Sequence, residues 1–401
     1  MTSVRALLLE TLHPQATEIL EAAGVAVENR AGALDEDELI EALQGVHLLG
    51  IRSKTQVTER VLKEAPDLIA VGAFSIGTNQ IDLAAAARSG VATFNAPFSN
   101  TRSVVEMAVS EMISLTRRLP DHNRQMHAGV WSKSAIGAHE IRGRTLGIVG
   151  YGNIGSQLSV IAEALGMNVI FFDSAEKLAL GNATKMPTLE SLLREADIVT
   201  LHVDGRSGNS GFFGREQFEA MKPGALFLNL SRGFIVDIEG LKDCLESGQI
   251  GGAAVDVYPV EPKTKGDPFS SPLQGLANVI LTPHIGGSTE EAQRDIGIFV
   301  STRLRDYVHH GSTSLSVNLP NLSLDQQQGS HRIAHLHVNT PGVLAAVNQV
   351  FAEHGVNIEA QMLATRGELG YVVTDVAAGI TDDAVVALSE MQATVRLRVL
   401  S

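Results

Sequence analysis

The scarcities of this chain narrow the field first. It has one cysteine, Cys244, so no internal disulfide can form, which suits a reducing compartment. No apolar run approaches the roughly 20 residues of a membrane span. The first ten residues lack the cationic start and apolar stretch of a secretory signal. Basic residues are in deficit, 31 Lys and Arg against 45 Asp and Glu, for a formal net charge of −14. Such a surface disfavours nucleic acid and anionic membrane, and any anionic ligand must be drawn in by local cations. Cysteine and histidine occur at no metal-ligand spacing, so no metal is expected, and His309 and His310 carry no functional signal. The expectation is a cytosolic protein whose 401 residues form two or three domains.

What is present starts with a glycine motif in the middle of the chain. The run Thr145-Leu-Gly-Ile-Val-Gly150-Tyr-Gly152-Asn153-Ile154-Gly155 follows from an apolar strand expected at 146–149 and leads into a helix-compatible stretch at 156–165. A second strand, at 168–172, ends on Asp173, about the twenty residues onward that a dinucleotide-binding unit requires. Gly150 lets the strand turn, Gly152 lets the backbone approach a pyrophosphate, and Gly155 lets helix and strand pack closely. The free N–H groups of the helix start then face the phosphates. A carboxylate at Asp173 can accept hydrogen bonds from ribose hydroxyls and repel a 2′-phosphate, and Ser174 brings no arginine beside it, so NAD is favoured over NADP. A solvated acid at a strand end is the alternative reading of Asp173.

Short apolar runs alternate with helical patterns on both sides of this motif. Strands are expected at 6–9, 25–27, 48–51, 68–71 and 91–94, with helices between them, giving a small domain with a parallel sheet. A longer helix opens after the cap candidates Asn100 and Thr101, with a buried stripe of Val104, Ala108, Met112, Leu115 and Leu119. Further strands at 197–202, 225–230, 253–257 and 279–282 complete a doubly wound sheet of six. A helix at about 288–308 then returns the chain to the first domain. The nucleotide domain is therefore expected to be inserted in the first. Residues 320–329 read as a linker. Beyond it, strands and helices in the order βαββαβ indicate a ferredoxin-like module.

Three strand-end features fall on the carboxyl edge where a cofactor must lie: Ser231-Arg232-Gly233, Asp256 with Glu261, and Pro283-His284-Ile285-Gly286-Gly287. An arginine fork can hold a substrate carboxylate or polarise its carbonyl, a histidine can exchange the hydroxyl proton, and a glutamate can orient the imidazole. Taken singly, Arg232 reads as surface charge, Glu261 as a turn residue and His284 as a cap. Their shared edge favours chemistry. Trp131, the only tryptophan, reads equally as an interface anchor or as local packing.

On these stretches, and on Leu228-Asn-Leu-Ser-Arg-Gly233, Ala253-Ala-Val-Asp-Val-Tyr-Pro-Val-Glu-Pro262 and Thr282-Pro-His-Ile-Gly-Gly287, the chain resembles the D-isomer-specific 2-hydroxyacid dehydrogenases over almost its whole length. The resemblance implies Arg232, Glu261 and His284 as catalytic residues. It implies NAD contacts at Gly150, Gly152, Asn153, Ile154, Gly155, Asp173, Leu230, Ser231, Arg232, Asp256, His284, Ile285, Gly286 and Gly287. Within the family, Ile51-Arg-Ser-Lys-Thr55, Phe74-Ser-Ile-Gly-Thr-Asn-Gln-Ile-Asp82 and Asn95-Ala-Pro-Phe-Ser-Asn-Thr-Arg-Ser103 resemble members that oxidise 3-phosphoglycerate. That narrower likeness implies substrate contacts at Arg52, Ser53, Asn100 and Gln293. Lys54 and Arg102 are further cations that read equally as surface loop residues.

The last seventy or so residues resemble an ACT domain, through His337-Val-Asn339-Thr-Pro-Gly342 and Gly355-Val-Asn357-Ile. This implies L-serine as an effector at His337, Asn339 and Asn357, and a homotetramer. Val338 departs from the polar residue usual in that turn. The implied architecture is α/β: a doubly wound Rossmann domain, 100–285, inserted in a flavodoxin-like substrate domain, 1–99 and 286–322. A linker, 323–330, leads to a ferredoxin-like ACT module, 331–401, expected to hang free beyond it. Two other functions remain open at this point. One is a dehydrogenase for 2-hydroxyglutarate or 2-oxoglutarate, glyoxylate or lactate. The other is an NAD-sensing, corepressor-like interaction protein.

Overall fold

A computed structural model describes residues 4–262, 266–325, 330–377 and 380–400. Residues 326–329 of the expected linker and Ala378, at the end of an expected strand, lie outside the described residues. The chain divides into two compact units, one of residues up to Ser99 with those from Gln293 onward, the other Asn100–Ala292.

The first unit opens with strict β–α alternation: β1 (Arg5–Leu8), α1 (Pro14–Ala22), β2 (Ala26–Asn29), α2 (Glu36–Ala42), β3 (Leu48–Ile51), α3 (Glu59–Glu64), β4 (Ala70–Ala73), α4 (Leu83–Arg88) and β5 (Ala92–Phe94). The short helices are set by their caps. Asp35 and Glu38 form a reciprocal capping box on α2, and Asp82 accepts from the N–H of Ala85 at 2.8 Å on α4. All pairings are parallel, in the order β2-β1-β3-β4-β5, the flavodoxin-like arrangement.

The second unit begins with α5 (Thr101–Thr116) and α6 (Leu119–His127). The expected single long helix is broken here. Arg118 takes a left-handed conformation, φ 53°, and Pro120 opens the next helix, so the buried stripe stops at Leu115 and Leu119 is exposed. There follow β6 (Thr145–Val149), α7 (Asn153–Ala164), β7 (Asn168–Phe172), β8 (Thr184–Lys185), α8 (Leu189–Glu195), β9 (Ile198–Leu201), α9 (Arg215–Ala220), β10 (Ala225–Asn229), α10 (Ile238–Glu246), β11 (Ile250–Val255) and β12 (Val279–Leu281). They form a seven-stranded sheet in the order β12-β11-β10-β9-β6-β7-β8, doubly wound in the Rossmann manner. The two-residue edge strand β8 was not expected; it is too short and polar to leave a pattern. Strand order reverses between β6 and β9, which places the switch point directly at the glycine loop.

Helix α11 (Glu290–His310) leads back to the first unit. The C-terminal module is β13 (His331–Val338), α12 (Val343–Glu353), β14 (Ile358–Arg366), β15 (Leu369–Val376), α13 (Asp382–Ser389) and β16 (Thr394–Leu400), an antiparallel sheet in the order β14-β15-β13-β16. It does not hang free as expected. Strand β13 carries buried residues on both faces: Ile333 packs with Val347 and Phe351 of α12, whereas Ala334 and Leu336 join Tyr371, Val373 and Leu400 in one apolar cluster with Leu8, Phe94, Val300 and Leu304. Polar groups seal that contact. The Tyr371 hydroxyl donates to the carbonyl of Gly311 at 2.7 Å, and Arg398 donates to those of Tyr307 and Val308 at 3.0 and 2.9 Å.

At the same contact, Arg332 and Asp375 are fully buried and paired by two bonds of 2.6 and 2.7 Å. Arg332 donates further to the carbonyls of His310 and Leu324. Among the described residues, no helix is long and apolar enough to cross a membrane. Removing the acid of the buried pair leaves a guanidinium with an uncompensated charge. Asp375→Ala is therefore expected to lower stability by about 3–5 kcal/mol, read from the denaturant midpoint at neutral pH; a loss below about 1 kcal/mol would show the pair is dispensable.

Candidate functional site

Every strand of the seven-stranded sheet ends on one edge, and buried polar side chains pin the loops that leave it. At the first loop, the Gly150 N–H donates to the carbonyl of Phe172, and a Cβ at this φ of 93° would strike the backbone of His202 at 2.6 Å. Gly155 is buried against the same loop, Ile154 is half-buried, and Asn153 is exposed at the first turn of α7. Gly152 faces open space: a Cβ there would meet nothing within 4 Å, directly before the unsatisfied N–H groups of a 12-residue helix. An open helix N-terminus of this kind can take a pyrophosphate on its free N–H groups. Asp173 is held beside it by accepting from the N–H groups of Tyr151 and Ala175, each at 2.8 Å. Its sequence neighbours bring no arginine, but the fold brings Arg206 within electrostatic reach of Asp173, with the guanidinium already engaged on Asp204 at 2.7 and 3.0 Å.

His202, unremarked in sequence, closes β9 directly behind the glycine loop. It is half-buried, and burial of the ring pushes it down to about 4, so it stays neutral, with Nε2 3.0 Å from the Thr200 hydroxyl.

After β10, the buried Asn229 side chain accepts from the N–H and hydroxyl of Ser231 and donates to the carbonyl of Arg232. Leu230 is buried next to it. The half-buried Arg232 guanidinium folds back on the carbonyl of Ser231 at 2.7 Å. Glycine is obligatory at 233, where a Cβ would lie 1.9 Å from the backbone of Tyr258. After β11, the buried Asp256 carboxylate accepts from the N–H groups of Ile285 and Gly286 at 2.8 Å and from the Thr282 hydroxyl at 2.6 Å. Gly287 follows this loop, and the Asn100 side chain lies against it. Asn100 holds the N-cap position of α5 without a side-chain capping bond, and its buried Oδ1 has no partner among the described residues.

His284 and Glu261 meet at this edge. The imidazole Nδ1 lies 2.9 and 3.1 Å from the two carboxylate oxygens, while Glu261 also accepts from the Tyr258 N–H. His284 has φ 54°, a left-handed conformation uncommon for residues other than glycine. The hydrogen bond to Glu261, aided by its charge, raises the imidazole above its ordinary value despite partial desolvation. For Glu261, burial pushes upward, but the bond and charge of His284, the Tyr258 N–H and nearby Arg232 together hold it below the usual carboxylate range. With Nδ1 occupied by the acid, Nε2 is the nitrogen left to exchange a proton. The edge thus unites an open helix N-terminus at the glycine loop, an arginine fork and a carboxylate-oriented imidazole.

The expected residues do not all fall together. Arg52 and Ser53 belong to the first unit, after β3, and Gln293 to its returning helix; the loop 52–55 is pinned by the buried carboxylate of Glu10, which sequence reasoning missed. In the C-terminal module, His337 is buried, with Nδ1 2.9 Å from the carbonyl of Val338 and Nε2 unpartnered among the described residues, whereas Asn339 and Asn357 are exposed. No group of three or more His, Cys, Asp or Glu side chains among the described residues could hold a metal ion.

Comparison with known proteins bears on the same regions. The pattern of the D-isomer specific 2-hydroxyacid dehydrogenase NAD binding domain matches residues 109–286, and that of an AHAS small subunit-like ACT domain matches residues 333–396. The chain is 48% identical over 400 residues to D-3-phosphoglycerate dehydrogenase of Escherichia coli (strain K12), covering 99% of this chain and 97% of that protein. It is 45% identical over 397 residues to the D-3-phosphoglycerate dehydrogenase of Dictyostelium discoideum, covering 99% and 97%. Among solved structures, a protein from Thermus thermophilus is similar with a TM-score of 0.68 and 30% identity, over 75% of this chain and 96% of that one.

One buried acid was not foreseen. Glu111 on α5 is buried, and neither carboxylate oxygen has a hydrogen-bond partner among the described residues. Burial, with the charge of nearby Asp256, pushes it up from its ordinary 4.5 to about 8. Because the folded state binds this proton more tightly, its contribution is whole below about pH 4.5 and is lost as pH rises towards 8. Glu111→Gln is expected to match the parent in melting temperature near pH 5 and to exceed it at pH 8 to 9; equal melting curves across that range would remove this assignment.

Proposed function

The chain belongs to the D-isomer specific 2-hydroxyacid dehydrogenases, and we propose that within this family it oxidises 3-phospho-D-glycerate to 3-phosphohydroxypyruvate with NAD, the first step of serine synthesis. The observation that carries this reading is the Glu261–His284 pair on the same sheet edge as Arg232 and the glycine loop. It is supported by near-full-length similarity to D-3-phosphoglycerate dehydrogenases.

Bound NAD supplies the hydride acceptor. Gly150, Gly152, Asn153, Ile154 and Gly155 take its pyrophosphate on the N-terminus of α7, and Asp173 takes the ribose hydroxyls. Leu230, Ser231, Asp256, Ile285, Gly286 and Gly287 line the nicotinamide end. Arg232 holds the substrate carboxylate and, in the reverse direction, polarises the C2 carbonyl for hydride addition. Neutral His284 accepts the C2 hydroxyl proton at Nε2 as the C2 hydride departs, and the protonated imidazole returns it in the reverse direction. Glu261 keeps Nδ1 protonated and balances the imidazolium charge. Arg52 and Ser53 hold the phosphate, with Asn100 and Gln293 as further substrate contacts.

The ACT module takes L-serine at His337, Asn339 and Asn357 and thereby inhibits the enzyme. Each of these side chains has hydrogen-bonding capacity for an amino acid's two charged ends. Self-association as a homotetramer is supported by the loop between α6 and β6, where Trp131 is 80% and Ile136 88% exposed. The single cysteine, Cys244, is buried and free, in keeping with a cytosolic location.

The direct test is NADH oxidation with phosphohydroxypyruvate and with 2-oxoglutarate, with and without serine. Arg52→Ala is expected to raise KM for the phosphorylated acid at least about tenfold, the loss of a charged contact, and to leave that for the unphosphorylated acid nearly unchanged. Equal effects on both would sink the phosphate assignment. The pH profile checks the proton carrier. Reduction needs protonated His284, so its rate falls as pH rises through the imidazole's pKa. Glu261→Gln withdraws the opposing charge, and the alkaline limb should move to lower pH; an unmoved limb would assign the proton to another group.

A further inference from the structure

The loop Arg52–Thr55 is built unlike an ordinary anion-binding turn. Its three successive N–H groups, at Ser53, Lys54 and Thr55, all point inward at one carboxylate, that of Glu10, at 3.2, 3.1 and 2.9 Å. Glu10 is only 9% exposed. It follows β1 in a left-handed conformation, φ 64°, and Thr11 continues it at φ 52°, a backbone that non-glycine residues seldom adopt. That backbone is tied down by the Glu10 N–H on the carbonyl of Gly32 and the Thr11 hydroxyl on the carbonyl of Ala31. From the other side, the buried Gln80 amide donates to the carbonyl of Arg52. Among the described residues, the side chains of Arg52 and Lys54 have no ion-pair partner.

Elsewhere, consecutive backbone N–H groups form a concave site that itself takes phosphate. Here that concavity is already filled by an internal carboxylate. An external anion must therefore be met by side-chain cations, and the position of those cations is set by whatever holds the loop. We infer that Glu10 is a positioning residue for the phosphorylated substrate: its carboxylate occupies the amide concavity and fixes Arg52 for the phosphate. This rests on the assignment of Arg52 to the substrate phosphate.

Glu10→Gln keeps the size but turns one acceptor into a donor, so the N–H groups of Ser53 and Lys54 lose their partner. The expected result is a rise of about tenfold in KM for phosphohydroxypyruvate, as for one lost charge-assisted hydrogen bond, with kcat within about twofold and NADH affinity by fluorescence titration unchanged. Because Glu10 acts through Arg52, the double variant Glu10→Gln with Arg52→Ala should bind no worse than Arg52→Ala alone. Additive effects, or a fall in kcat at constant KM, would overturn the proposal and leave Glu10 as a fold element only. If Glu10→Gln does not fold, Glu10→Asp, which keeps the charge but is one methylene shorter, carries the same cycle with a smaller expected KM rise. Should Arg52→Ala itself leave KM unchanged, the phosphate assignment fails instead, and the two failures stay distinct.

Discussion

The loop carrying His284 is held from beneath by a single buried carboxylate. Asp256 receives two backbone N–H groups and a hydroxyl from residues 282–286, and it does so at the end of β11, where the strand is fixed by pairing on both sides. Pro283 has no N–H to donate, and His284 lies in a left-handed conformation, so neither could hold the loop by itself. The imidazole is therefore oriented by two acids with separate duties. Asp256 fixes the backbone, and Glu261 fixes the ring and its protonation. The same device recurs at three other strand ends: Asp173 at the glycine loop, Asn229 before Arg232, Glu10 beneath Arg52. Parallel sheets collect their strand ends on one edge, and a short polar side chain there can reach the next loop's backbone before water does.

This arrangement explains how an acidic chain can serve an anionic ligand. The formal charge is −14, so bulk attraction is absent. Many of the carboxylates closest to the reactive edge are engaged by backbone donors. Among the described residues, the Arg232 guanidinium hydrogen-bonds only to its neighbouring carbonyl, and Arg52 precedes three N–H groups already satisfied by Glu10. A different set of arginines, Arg332, Arg396 and Arg398, is consumed in sealing the C-terminal sheet to the rest of the first unit through backbone carbonyls.

Much of this was legible beforehand. The alternation of apolar runs and capped helices located nearly all strands, and the glycine motif located the switch point, because local periodicity and turn chemistry carry that information. What escaped was short or non-local. The edge strand β8 has two residues. The break before α6 depends on one left-handed arginine. Asn100 looked like a cap, yet its side chain turned towards Gly287. Glu10, Glu111 and His202 resemble ordinary polar residues until the fold surrounds them: Glu10 with three backbone N–H groups, Glu111 with burial and no partner among the described residues, His202 with burial of its ring.

Residue order alone settled the fold class, the cofactor loop and which residue types reach the carboxyl edge, since these follow from periods and spacings within some thirty residues. Tertiary structure alone decided which of those side chains meet. Glu261 and His284 lie 23 residues apart and Glu10 and Ser53 43 apart, and neither pair follows from a local period: each meets because neighbouring strands bring their ends together. It also decided that the C-terminal sheet is packed rather than free, because only three-dimensional pairing reveals that β13 is buried on both faces.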